Sequence, residues 1–224
     1  MIDAHVHLDH FANPTTAWAK LRAVGVERAL LPGVEAHRPP LQLRGVDCAA
    51  GQHPCFPAPT DWLGHLAKQL TDGSIQAVGE LGLDRRGQPG HEDWVAPQIQ
   101  LAKEHRLPLI LHVVGERSNL LEQVRQHPHP AMLHRCSGRP SRYEPWWQAG
   151  VFLSVGPTVG EDLRLLEAVP DHLLLLESDA ETEADKPWES LPQLYAAAAR
   201  AKRCTLASIC TRIAANYTRF LNRE

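Results

Sequence analysis

The chain begins "MIDAHVHLDH", with His5 and His7 one residue apart in an apolar run and Asp3 and Asp9 flanking them. Four more metal-capable side chains each follow a short apolar run: Glu80 in "AVGELGLD", His112 in "LILHV", His134 in "MLHRCSG" and Asp179 in "LLLESDA". Buried there without partners, each polar group would cost on the order of several kcal/mol. Four imidazoles and two carboxylates meeting at one place need cations to neutralise and orient them. Mixed imidazole and carboxylate ligands suit zinc, manganese or iron better than magnesium, and this number of them leaves positions open for water and substrate. The chemistry this points to is metal-assisted hydrolysis. Singly, each residue has a plainer reading: an H-x-H pair as hydrogen-bonded core histidines, Glu80 or Asp179 as a helix cap or a loop ion pair. The second H-x-H, His127 and His129 around Pro128 in "QHPHP", reads as a solvated loop.

Placing six such residues together requires a particular set of elements. β-prone runs occur at 2–8, 28–34, 46–53, 75–84, 108–114, 131–137, 151–157 and 172–180. Between them lie segments of helical spacing, among them "TTAWAKLRAVG", "TDWLGHLAKQL", "WVAPQIQLAKEHR", "SNLLEQVRQH" and "EDLRLLEAV". "SRYEPWWQAG" is a weaker helix because of Pro145, and residues 35–45 with their two prolines leave little room for one. Helix-like stretches at 189–202 and 205–222 close the chain. Near-continuous apolar strands alternating with helices imply a parallel sheet covered on both faces. Eight such units predict a (β/α)8 barrel, an α/β TIM barrel with short loops and an additional C-terminal helix. At 224 residues it is a small one, since the fold usually takes about 250. In a strand, residues i and i+2 face the same way, so His5 and His7 point together into the barrel. All six candidates fall at the C-terminal strand ends, where this fold keeps its chemistry. An open doubly wound sheet would need a glycine-rich turn after the first strand, and "HLDHFANP" has none.

Composition narrows the partners. Hydrophobic residues make up 43% and charged residues 22%, with 23 basic against 26 acidic side chains and a net charge of −3. There is no global cationic field to collect nucleic acid or anionic membrane, so a phosphate-bearing substrate must be held locally. No apolar run approaches the roughly 18 residues of a membrane span, and no secretion-signal pattern opens the sequence, so a cytoplasmic location is expected. Cys48, Cys55, Cys136, Cys204 and Cys210 include no C-x-x-C pair and read as reduced packing residues. Repeats and linker-like composition shifts are absent, so residues 1–224 read as one domain.

The order "DAHVHLD", "GQHP", "VGELGLD", "QLAKEHRLPLILH", "LHRCSG", "SVGP", "LLLESDA" and "NYTRFL" resembles the TatD family of metal-dependent hydrolases, a branch of the amidohydrolase superfamily. The resemblance spans essentially the whole chain. It implies a site for two divalent metal ions (Zn, Mn, Fe or the Mg often associated with family nucleases), with His5, His7, Glu80 and Asp179 on one and Glu80, His112 and His134 on the other. Glu80 would bridge, and Asp179 would also act as general base. His53 of "GQHP" would lie beside the substrate phosphate; its plainer reading is a capping histidine. His10, His37, His65, His91, His105 and His172 match no ligand position and read as surface residues.

The sequence departs from the family pattern where phosphate is gripped. Val113 and Val114 replace a polar pair after His112, leaving Arg117 as a candidate substitute, and Arg135 and Cys136 stand where cysteine and phenylalanine are usual. After Asp179 come Glu181, Glu183 and Asp185, which would repel a polyanion. The first functional expectation is therefore a phosphodiesterase acting as a 3′ to 5′ DNA exonuclease. Arg85, Arg86, Arg117, Arg135, Arg139, Trp146 and Trp147 are candidate local contacts. The second is hydrolysis of a small amide, ester or phosphoester by the same centre. A metal-retaining but non-catalytic regulatory barrel is the third.

Overall fold

Eight short apolar segments form one parallel sheet in sequential order. They are β1 (Ile2–Asp3), β2 (Arg28–Leu31), β3 (Val46–Ala50), β4 (Ile75–Asp84), β5 (Leu109–Val114), β6 (Ala131–Cys136), β7 (Phe152–Val155) and β8 (Leu174–Leu176). The computed structural model describes residues 1–115, 118–157 and 162–222. Each strand pairs with the next from β1 to β8. The remaining seam is joined by backbone donors: Ala4 N–H to Leu176 O (2.9 Å), Asp179 N–H to His5 O (3.0 Å) and His7 N–H to Ala180 O (3.0 Å). The result is a nearly closed (β/α)8 barrel, as the alternation predicts.

The helices are α1 (Pro14–Ala23), α2 (Trp62–Thr71), α3 (Val95–Glu104), α4 (Ser118–Arg125), α5 (Glu144–Gln148), α6 (Arg164–Ala168), α7 (Pro187–Ala201) and α8 (Leu206–Phe220). α1 starts where the Asn13 side chain accepts the Thr16 N–H at 2.9 Å and Pro14 fills the first turn, a position that needs no N–H donor. α8 is capped in the same way by Thr205, whose hydroxyl accepts the Ser208 N–H at 3.1 Å. It buries Ile209, Ile213, Tyr217 and Phe220, one stripe at helical spacing, beneath β1 and β8. Pro145 does not abolish α5 because it sits in the first turn, but the helix runs only five residues. Among the described residues no helix forms between β2 and β3, in keeping with the prolines of 35–45.

Most strands are shorter than their apolar runs, β1 and β8 most of all in their effect on the site. β1 ends at Asp3 and β8 at Leu176, so His5, His7 and Asp179 lie just beyond regular pairing, held by the seam bonds above. Among the described residues, no helix is long and apolar enough to cross a membrane.

Candidate metal centre

The strands present the site through irregularities. Along β4 and β5 the register runs Val78 to Leu109 and then Leu81 to Leu111, so three steps on β4 span two on β5. That bulge falls on Gly79 and Glu80 and re-aims the Glu80 side chain. Gly79 and Gly82 carry φ of 139° and 147°, and a Cβ on either would overlap the backbone carbonyl of Ile110 or His112. β6 and β7 repeat the device: Leu133 pairs with Leu153 and then Cys136 with Val155, leaving the extra residue at His134–Arg135. Arg135 and Asp179 have left-handed backbones (φ 53° and 49°), uncommon for side-chain-bearing residues.

Glu80 is 2% exposed and lies at the centre. Its two oxygens divide the imidazoles into two sets. Oε1 lies 3.0 Å from His5 Nε2 and 3.2 Å from His7 Nε2. Oε2 lies 3.0 Å from His134 Nε2, 3.3 Å from His112 Nδ1 and 3.5 Å from His53 Nε2. Asp179 Oδ1 completes the first side at 3.7 Å from the Nε2 atoms of both His5 and His7. Ligand atoms lie within 4.8 Å of one another in four groups of described residues: His5, His7 and Glu80; His53, Glu80 and His112; His5, His134 and Asp179; and, at the rim, His7, Asp9 and His10. Above them opens a cavity of about 390 Å³, lined among others by His10, His53, Phe56, Arg86, Arg135 and Glu181.

The charges are in tension. Burial opposes ionisation of Glu80, but His134 and His5 and the hydrogen bonds from His112 and His134 hold its carboxyl well below the usual range. Burial likewise opposes the charge on Asp179; the hydrogen bond from His7 and the nearby His5 and His134 bring it to about 2. On the imidazole side, burial and the neighbouring His134 lower His5 to about 4. Burial also disfavours the His7 cation, yet Asp179 and Glu80 outweigh it and lift that ring to about 10. Protons on imidazoles thus offset carboxylate charge that a cation would offset better. Among the described residues, the buried Nδ1 atoms of His5, His7 and His134 meet no hydrogen-bond partner. A carboxylate oxygen met by two imidazole Nε2 atoms, with a second carboxylate 3.7 Å from both, fits a cation site better than a saturated hydrogen-bond network.

All six side chains expected from the strand ends therefore converge. His53, expected beside the substrate, is also drawn toward Glu80, and its Nδ1 accepts the Cys55 N–H at 3.0 Å. Arg135 is 57% exposed and meets Asp179 Oδ2 through Nε at 3.2 Å. Arg117 lies outside the described residues. Trp146 is buried in the core and Trp147 is partly buried against it, so neither offers an open stacking face. Of the acids after Asp179, Glu181 lines the cavity, whereas Asp185 accepts the Glu181 and Thr182 N–H groups at 2.9 and 2.8 Å in a local turn.

Three of the histidines read as surface or solvated residues need correction. His10 lines the cavity and stacks on His7, with ring centroids 5.0 Å apart. His91 is buried with Nδ1 2.8 Å from Gln88 O, and His127 is buried with Nε2 3.0 Å from Leu107 O. In each of those two, a backbone carbonyl meets one ring nitrogen, which helps a buried imidazole to be accommodated.

Sequence reasoning also passed over three acids. Asp84 Oδ2 lies 2.9 Å from His112 Nε2, opposite the ring nitrogen that faces Glu80. Hydrogen bonds from Arg86 hold the Asp84 carboxyl well below the usual range. Glu177, fully buried, accepts the Arg135 N–H at 2.5 Å; burial and then the charge of Asp179 push its carboxyl well above the ordinary range. Asp3 accepts the Ser178 N–H at 2.8 Å and the Ser178 hydroxyl at 2.6 Å. Burial raises its carboxyl to about 7. These acids orient the side chains and backbone around the centre, as outer partners of metal ligands commonly do.

Comparison with known proteins agrees with this architecture. The chain is 28% identical over 206 residues to the uncharacterized metal-dependent hydrolase YjjV of Escherichia coli (strain K12), covering 80% of this chain and 78% of that protein. The crystal structure of YjjV, a TatD homologue from Escherichia coli K12, superposes with a TM-score of 0.85 at 24% identity, over 99% of this chain and 98% of the other. A TatD family hydrolase from Entamoeba histolytica superposes at 0.80 with 12% identity, over 100% and 98% of the two chains. The family model described as TatD related DNase matches residues 2–222, and the chain belongs to that family.

Proposed function

We propose that the protein is a metal-dependent hydrolase that cleaves phosphoester bonds, with the 3′ end of a DNA strand as the substrate that family membership suggests. The observation that carries this reading is the division of Glu80, one oxygen toward His5 and His7 and the other toward His134, His112 and His53. A buried carboxylate presented in this way is suited to bridge two divalent ions (Zn, Mn, Fe or Mg). His5, His7, Glu80 and Asp179 would hold one, and Glu80, His112 and His134 the other. Bound there, such a pair supplies Lewis acidity, making water nucleophilic near neutral pH and offsetting charge at the attacking and leaving oxygens.

The chain's own groups supply the rest. Asp179 directs Oδ1 at the imidazoles and reaches the cavity, so it takes the proton of the attacking water as general base. Asp84 fixes the His112 ring through Nε2, leaving Nδ1 for the centre. His53 lines the cavity beside Glu80 and is held neutral, near 3, chiefly by burial; it contacts the ester as a neutral imidazole.

A second reading, a small phosphoester in place of DNA, is favoured by the charges at the mouth. Glu181 lines the cavity, and both arginines that line it already face carboxylates, Arg86 on Asp84 and Arg135 on Asp179. Metal-quantified protein assayed on a 3′-labelled single-stranded oligonucleotide beside small phosphomonoesters and diesters distinguishes the two. The paired substitution His5→Ala and His7→Ala should abolish metal uptake and hydrolysis together. Hydrolysis surviving in that variant would reject the proposed centre.

A further inference from the structure

Arg135 stands between two cavities. One is the mouth above Glu80, about 390 Å³; the other, about 200 Å³, is lined by Gly156, Pro157, Ser178, Asp185 and Ser190, and Arg135 and Asp179 line both. The two arginines of the mouth are held very differently. Arg86 gives its backbone N–H and Nε to Asp84 Oδ1 at 2.9 and 3.1 Å and its Nη2 to Oδ2 at 2.7 Å, and the same Asp84 orients His112. Among the described residues Arg135 has one ion-pair contact, Nε to Asp179 Oδ2, from a largely exposed side chain. Its backbone is pinned instead: the N–H is given to buried Glu177, and φ is 53°. The base of the side chain is thus fixed while its head is exposed and lightly held, with empty volume on both sides.

We propose that Arg135 is the anion-selecting group of the site and works by exchange. In the free protein its guanidinium rests on Asp179 Oδ2; when a phosphoester enters the mouth, it moves onto a non-bridging phosphate oxygen and releases that carboxylate oxygen to the reaction centre. This deepens the hydrolase reading and rests on Asp179 belonging to that centre. Exchange is favourable because the mostly exposed guanidinium meets Asp179 through Nε alone, whereas phosphate offers the whole planar fork a more highly charged acceptor. Arg86 cannot do the same without abandoning Asp84 and, through it, His112. The substrate class that follows is an ester with a free anionic oxygen, preferred over a neutral ester of equal size.

The test uses Arg135→Gly, which removes the side chain while suiting the left-handed backbone, and Arg135→Lys, which keeps the charge. Binding of inorganic phosphate to the metal-loaded protein is measured by equilibrium dialysis, beside metal content and thermal midpoint. Phosphate affinity should fall about 10- to 100-fold in Arg135→Gly and recover in part in Arg135→Lys. The ratio of kcat/KM for a phosphomonoester to that for a neutral carboxylic ester should fall by a similar factor, mainly through KM for the phosphoester. Unchanged phosphate affinity in Arg135→Gly overturns the proposal, as does loss of metal in that variant, which would make Arg135 a structural residue. Phosphate binding that depends on Arg135 without hydrolysis of any ester would remove the hydrolase reading and leave the anion site standing. Hydrolysis with phosphate affinity indifferent to Arg135 would do the reverse.

Discussion

The two ends of the barrel treat buried polar groups in opposite ways. At the floor, Asp47 Oδ2 receives Arg28 Nη2 at 2.5 Å and the Tyr217 hydroxyl at 2.9 Å. Also at the floor, the Tyr195 hydroxyl both accepts the Ile2 N–H at 2.9 Å and donates to Ile2 O at 2.8 Å. At the mouth, ring nitrogens of His5, His7 and His134 and one oxygen of Glu177 are buried without partners. Unpaired buried polar atoms cost stability; single ones such as His127 Nδ1 occur elsewhere, but at the mouth they gather on rings that surround one carboxylate. The floor is polar for the sake of the fold, the mouth for the sake of a ligand.

Three substitutions can break or sharpen that contrast. Glu80→Gln should have the largest effect: removing the shared charge should lower hydrolysis on the order of 10³-fold. It should also erase the rise in thermal midpoint that added divalent metal gives the native protein, because only a folded state that binds metal is stabilised by it. A melt in which chelator and metal leave the native midpoint identical would place the mouth in the same class as the floor. Next comes Asp84→Asn, which loosens the His112 ring without removing a residue expected to hold metal. Metal affinity, read by competition with a chromophoric chelator, should weaken about 10- to 100-fold. The smallest change is expected for Tyr217→Phe at the floor, about 1 kcal/mol of stability by urea unfolding, with metal content and turnover unaltered. Loss of metal in that variant would erase the distinction between the two ends.

Much of the mouth is legible in the sequence because period-two reasoning carries His5 and His7 to one side, and each remaining candidate ends a recognisable apolar run. Asp84 and Glu177 were within the same reach, since they lie four and two residues from Glu80 and Asp179. Nothing in an apolar run's end separates an acid that meets a ring or a backbone N–H, as these two do, from one that faces solvent. The bulges at Gly79–Glu80 and His134–Arg135 are different in kind: they are offsets between two strands, and neither strand's pattern contains the other's register. The same holds for His91 and His127, whose burial is decided by carbonyls of Gln88 and Leu107 that meet them in a loop and across twenty positions. The short β1 and β8 are likewise a property of the closing seam, where His5, His7 and Asp179 leave regular pairing while their backbones remain bonded.

That seam sets when the centre can exist at all. Asp3 and Ser178 are bonded across 175 positions, and His5 and Asp179 face each other over nearly the same span. A chain emerging from the ribosome can build most of its sheet from neighbouring strands, but no partial product lacking the eighth strand holds the complete set of donors. Capture of a cation by the side that needs Asp179 together with His5 and His7 would therefore be a late event in the life of each molecule, and would report that the ring has shut.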